Sequence, residues 1–260
     1  FLSGCDYLDI VPDNLPTLEM AFNNKSSAER FLFTCYSFVP EHGKIGTDPG
    51  MDVGDEVWYY SDNSADYSNK TTFWIAKGMQ NSNEPLVDYW NGTQWGKAMF
   101  VGIRDCNVFI ENIEKVPDLS AYDKETWKAE AKVLKAFYHF WMMRMYGPIP
   151  IIKENIPVSA GEDEVRVVRD KIDDIVTYIV SLIDESVEYL PLNIQNEAAE
   201  MGRITRPAAK AIKAKILAFA ASPFFNGNLD YANFKNAEGE PFFNQVYDNE
   251  KWTKAADACL

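Results

Sequence analysis

Residues 123–148 read DKETWKAEAKVLKAFYHFWMMRMYGP, and this stretch decides the fold. Trp127, Ala131, Leu134, Tyr138, Trp141 and Met145 recur at steps of four, three, four, three and four, the period that brings side chains to one face of an α-helix. Asp123 is placed to cap its start. Gly147-Pro148 stops it, since Gly takes up the left-handed turn at a helix end and Pro cannot continue the hydrogen-bond ladder. The pattern predicts a long amphipathic helix whose Trp127, Leu134, Tyr138 and Trp141 are core.

The same period appears on either side. Ser26 and Glu29 have capping-box spacing, and Ala28, Phe31, Leu32, Cys35 and Phe38 follow, which predicts a helix over about 27–39. Helical order returns near Trp90 and carries Met99, Ile103, Cys106, Ile110 and Ile113 to a stop before Pro117. Ile172, Ile175, Ile179, Leu182, Ser186 and Tyr189 form another stripe ending at Pro191. After Thr205, with Pro207 in the first turn, an alanine-rich stripe from Ala208 through Ile212, Ile216 and Ala220 runs to Ser222-Pro223. Asp248 is placed to cap a further helix through Trp252, Ala255 and Cys259, which meets no stop signal before Leu260, as if the chain were cut inside a helix. The four helices between Trp90 and Pro223 make two antiparallel hairpins, the alanines allowing close approach. Repeated hairpins suggest a tetratricopeptide-like stack, with insertions because the spacing exceeds the ~34 residues of a standard repeat.

The 260 residues are 47% hydrophobic and 25% charged, enough for a sizeable core. A net charge of -14 repels phosphate backbones and anionic bilayers, so nucleic acid is not an expected partner. No apolar run approaches the roughly 18 residues of a membrane-spanning helix. Cys5, Cys35, Cys106 and Cys259 are scattered without a CxxC pair, so neither a zinc site nor a dense disulfide framework is expected; a single bridge stays open, its partners unreadable.

Residues 41–90 lose the helical period and fill with Gly, Asp, Asn, Ser, Trp and Tyr. Trp58, Tyr59, Tyr60, Tyr67, Phe73, Trp74, Tyr89, Trp90 and Trp95 crowd into and just beyond this stretch. Sugar rings present flat C–H faces that pack on aromatic rings, and their hydroxyls seek carboxylates and amides such as Asp55, Asp62, Asn63 and Asn69. Trp90 and Trp95 stand beside a helix start and are assigned to the core. Trp58 and Trp74, where no period exists, are the leading ligand contacts, with Tyr60, Asp55 and Asn63 completing the candidate site.

Enzymatic signatures are absent: there is no GxSxG, HExxH or phosphate-loop pattern. Of the two histidines, His42 lies in a Gly-rich loop and His139 in the strongest helix, which makes His-based catalysis and metal clusters unexpected. Asp52, Asp55 and Glu56 could in principle supply a glycosidase carboxylate pair, but acidic loop residues are usually just solvated. Catalysis, cofactor and metal are therefore not expected.

Phe1-Leu2-Ser3-Gly4-Cys5 resembles a bacterial lipobox, in which a peptidase cuts before a lipid-bearing cysteine, although Cys5 also reads as an ordinary thiol. Several blocks together resemble the SusD/RagB family of surface glycan-binding lipoproteins. They are Cys5 to Pro12, Asn107 to Ile113, Ala129-Glu130-Ala131 through Tyr146-Gly147-Pro148-Ile149-Pro150, Ile183 to Ser186 with Leu190-Pro191, and Gly202-Arg203-Ile204-Thr205 with Ala221-Ser222-Pro223. The resemblance implies a mainly α, SusD-like fold of tetratricopeptide-like hairpins, with residues 1–25 as lipobox and tether and 26–260 as the helical domain. Within that domain, 41–90 is an irregular glycan-binding insertion. It also implies a lipid on Cys5, a cell-surface place on the outer membrane, and delivery of oligosaccharide to a SusC-like TonB-dependent transporter. Family members are about twice as long, so a C-terminal half is expected to hold part of the site. The alternative is a helical-repeat scaffold whose partner is another protein.

Overall fold

The computed structural model describes residues 18–41, 43, 48–54 and 71–260. Among these the fold is mainly α, with only isolated β-bridges. The helices are α1 (Leu18–Ala21), α2 (Lys25–Tyr36), α3 (Pro49–Asp52), α4 (Thr71–Ala76), α5 (Met99–Asn112), α6 (Ala121–Tyr146), α7 (Glu162–Val165), α8 (Ile172–Asp184), α9 (Glu197–Glu200), α10 (Arg206–Ala221) and α11 (Glu250–Cys259).

Helix α6 is the long helix of the opening stretch. Its first turn is capped three residues earlier than expected: Ser120 accepts from the Asp123 backbone N–H, leaving Asp123 in the first turn, where its charge suits the helix dipole. Gly147, at φ +70°, ends the helix, its N–H donating to Met143. Trp127, Leu134, Tyr138 and Trp141 are buried as the period requires, but so are Ala129, Val133, Ala136, Phe140 and Met143 on the other side. A helix apolar almost all round is a central one, and α6 packs against α2, α5, α8 and α10.

Helix α5 pairs with α6, and α10 pairs with α8, giving the two expected hairpins; α6 against α8 joins them, and α11 packs on α10. Close approach of α5 depends on Gly102, where a Cβ would come within 2.9 Å of the Phe38 ring and 3.1 Å of Tyr138. Thr205 caps α10, with Pro207 in its first turn, and buried Ala209, Ala220 and Ala221 form its packing face. The α2 cap is Asn24, which accepts from Ser27 N–H, so α2 starts before the Ser26–Glu29 spacing indicated. Between α10 and α11, Phe224, Phe225, Tyr231, Phe234, Phe242 and Phe243 pack ring against ring. This cluster lacks any helical period and was invisible to a search for one.

Helix α6 carries buried polar side chains into the core, Glu130 and His139 among them. Glu130 accepts two hydrogen bonds from Arg203 (2.7 and 3.1 Å) and one from the Tyr36 hydroxyl, which in turn accepts from Ile204 N–H. Burial lifts the Glu130 carboxyl above the usual range, and the Arg203 guanidinium opposes that shift. This network ties α2, α6 and the strand-like run before α10 together. His139, fully buried, contacts the Lys135 carbonyl through Nδ1 (2.8 Å) and accepts Ile152 N–H on Nε2 (3.2 Å), so it is a packed helix residue. Burial pushes its pKa down to about 4.

Candidate functional site

The aromatic-rich region is fastened to the C-terminal end of α6 at two points. At the first, Asp48 caps α3: its buried carboxylate accepts Gly50 N–H (2.8 Å) and Gly43 N–H (2.7 Å) and faces Arg144 at 3.7 Å. Arg144 lies over the Trp141 ring, 4.7 Å from its centroid. The sequence signal for this anchor was Asp48-Pro49, a capping residue before a Pro at the first helical position.

At the second, the Asp88 carboxylate gathers the backbone N–H groups of Trp90 and Asn91, the Asn91 amide and the Thr93 hydroxyl, all at 2.9–3.0 Å. Burial alone would raise the Asp88 pKa, but these four donors prevail and hold it below the usual carboxylate range. Tyr89 N–H donates to the Tyr146 hydroxyl (2.9 Å), which bolts this turn to the last turn of α6. Helical order begins at Met99 and not near Trp90: Gly92, Gln94 and Trp95 all take positive φ, which no right-handed helix can include.

These anchors sort the tryptophans. Trp90 is half-buried, edge-on to Phe100 (4.8 Å) and Tyr146 (5.6 Å), with Arg169 above it, as a core assignment requires. Trp95, assigned to the core by its nearness to the helix, is instead 63% exposed, because the chain reverses at Gly92 and leaves the Asp88 turn on the outer side. Trp74 lies on α4, 37% exposed, with the Lys77 ammonium 4.9 Å above its ring. Trp127 is buried with Arg203 over its face at 5.3 Å. The cleft beside it, about 180 Å³ and lined by Tyr122, Asn193 and Gln195, falls below the size of usual ligand pockets.

Trp58, Tyr60, Asp55 and Asn63 lie outside the described residues, as do Glu56, His42, Cys5 and the Asp52 side chain. The geometry around Trp74 is thus the described part of the candidate site. Among the described residues no group of three His, Cys, Asp or Glu side chains is arranged to hold a metal, and no helix is long and apolar enough to cross a membrane. Cys35 and Cys106 are buried free thiols on the facing helices α2 and α5, and Cys259 is exposed.

With fold and site in view, comparison with known proteins places the chain. A SusD-like family model, described as "Starch-binding associating with outer membrane", matches residues 6–217, and the chain belongs to that family. The solved structure of BT4246 superposes with a TM-score of 0.74 at 31% identity, over 91% of this chain and 39% of that one. A SusD-like protein of Bacteroides ovatus is 31% identical over 99 residues, 38% of this chain and 16% of the relative. A laminarin-binding SusD-like protein shares the fold at 18% identity, with a TM-score of 0.59 over 77% of this chain and 41% of its own. The chain spans well under half the length of these proteins.

Proposed function

We propose that the protein binds extracellular glycan without cleaving it and delivers it to a SusC-like TonB-dependent transporter at the outer membrane. The observation that carries this reading is membership, over most of the chain, of a family described as starch-binding and associated with the outer membrane. The exposed Trp74 on a region anchored to α6 supports it, since an aromatic face held in place needs little ordering to stack on a sugar. On this reading Trp58, Tyr60, Asp55 and Asn63 join Trp74 around the ligand, Cys5 carries the lipid, residues 1–25 tether the helical domain to the cell surface, and no metal or cofactor takes part. Retention of the full chain by amylopectin, laminarin and xyloglucan, with analysis for released sugar, tests the reading. Binding of any of them without release supports it; release of sugar or failure to bind all three overturns it.

A further inference from the structure

Trp95 sits in a conformation that burial does not explain. Gln94 and Trp95, at φ +52° and +71°, are the two non-glycine residues with positive φ among the described residues. That region crowds the Cβ of any L-residue, and a bulky side chain there is a true outlier. Such strain persists only where its surroundings over-determine it, and it collects at ligand contacts.

The surroundings here do over-determine it. Asp88 and Thr93 are bridged through Asp88 N–H to Thr93 carbonyl (3.2 Å), Gly92 N–H returns to the Asp88 carbonyl (3.0 Å), and Gly96 N–H donates to Thr93 (2.9 Å). The chain folds back so closely that a Cβ on Gly96 would lie 2.0 Å from the Asp88 carbonyl oxygen. Met99 N–H then donates to Tyr89 (3.0 Å), locking the exit of the turn to the start of α5. With the four donors on the Asp88 carboxylate and the bolt to Tyr146, the turn is rigid from both ends.

If apolar burial drove this arrangement, Trp95 would be inside. Trp90, five residues earlier on the same turn, is the ring that packs on Phe100 and Tyr146. The strained turn instead displays a large indole that meets no other ring or cation among the described residues, flanked by exposed Gln94. We infer that Trp95 is a fixed stacking platform for a neutral sugar ring, a glycan contact separate from Trp74. The indole supplies the flat face for sugar C–H groups, and Gln94 supplies an amide that both donates and accepts for hydroxyls. A net charge of -14 disfavours anionic ligands at the same surface. The inference rests on the glycan reading above and adds to it a contact that the helical pattern hides.

Calorimetric titration of the full chain with soluble amylopectin, laminarin and xyloglucan tests it, comparing wild type with Trp95→Gly and Trp95→Tyr. Gly removes the ring and suits the positive φ, so the turn survives; Tyr keeps a flat ring. Trp95→Gly should weaken binding of the polymer that wild type takes by on the order of tenfold, with unchanged melting, and Trp95→Tyr should keep most of the affinity. Equal binding by wild type and Trp95→Gly overturns the platform while leaving the glycan reading standing. A large fall in the melting temperature of Trp95→Gly also overturns it, since the ring would then be packing. Wild-type protein that binds none of the three polymers overturns both.

Discussion

Mild acid should destabilise the protein through one residue, His139, and the size of the effect follows from its surroundings. The side chain is fully buried in α6, with Nε2 already accepting Ile152 N–H, so a second proton would remove that acceptor and strand a charge beside the Tyr178 ring in the core. Its folded pKa is pushed from the ordinary 6.5 down to about 4, with desolvation as the first cause and the nearby Lys135 charge adding to it. In the unfolded chain the imidazole takes up its proton near 6.5, and in the folded protein it does so only near 4. Between those values the unfolded state binds more protons, so stability is whole above pH 6.5 and is lost as pH falls toward 4. A difference of about 2.5 units at 1.36 kcal/mol each, less the half-titration at pH 4, gives a loss of about 3 kcal/mol. His139→Gln can still donate to the Lys135 carbonyl and accept from Ile152, but it cannot titrate. Urea unfolding followed by circular dichroism, at steps from pH 7 to 4, should show wild type losing about 3 kcal/mol more than the variant. Parallel pH profiles for the two proteins would refute the reasoning, because other titrating groups are common to both.

Arg203→Met should cost about 3–5 kcal/mol, since it leaves the buried Glu130 carboxylate without its counter-charge, and adding Glu130→Gln should restore part of that loss in thermal melts. A single-variant cost under about 1 kcal/mol would mean that the pair is solvated. Trp74→Ala should weaken glycan binding on the order of tenfold with little change in melting, because the ring is more than a third exposed; unchanged affinity moves the site away from α4. Cys5→Ala, expressed with a secretion signal, should leave the outer-membrane fraction, and a variant that still fractionates with that membrane removes the lipid from Cys5.

Helix positions were legible because a 3.6-residue period and its stop signals are local. Ile172 to Leu182, Thr205 with Pro207, and Gly147-Pro148 each carry their reading within a few residues, and each helix stands where its stripe lies. The pairing of those helices into hairpins followed from apolar faces that had to meet and from alanines that allow close approach. What the stripe could not tell is that α6 is covered on nearly every side: Val133, Ala136 and Phe140 are buried as well, and Phe140 meets the ring of Phe219 on α10 edge-on at 5.5 Å, a partner 79 residues away. The same holds for the Glu130–Arg203–Tyr36 network, whose members are 73 and 94 residues apart and meet only when three segments converge.

The tryptophans draw the boundary most sharply. Trp127 and Trp141 could be assigned to the core from spacing alone, since each shares a helix face with Leu134 and Tyr138, and a helix face is a property of neighbours along the chain. The sequence also marked residues 41–90 as aperiodic and aromatic. That Trp90 turns inward and Trp95 outward is a matter of long-range contacts. That choice is made by the Asp88 carboxylate, which gathers four donors where the chain reverses at Gly92, and by Tyr89 N–H, which fixes the turn to the Tyr146 hydroxyl at the far end of α6. A side chain's exposure in an irregular turn depends on which distant group captures its backbone, and composition carries no record of that capture.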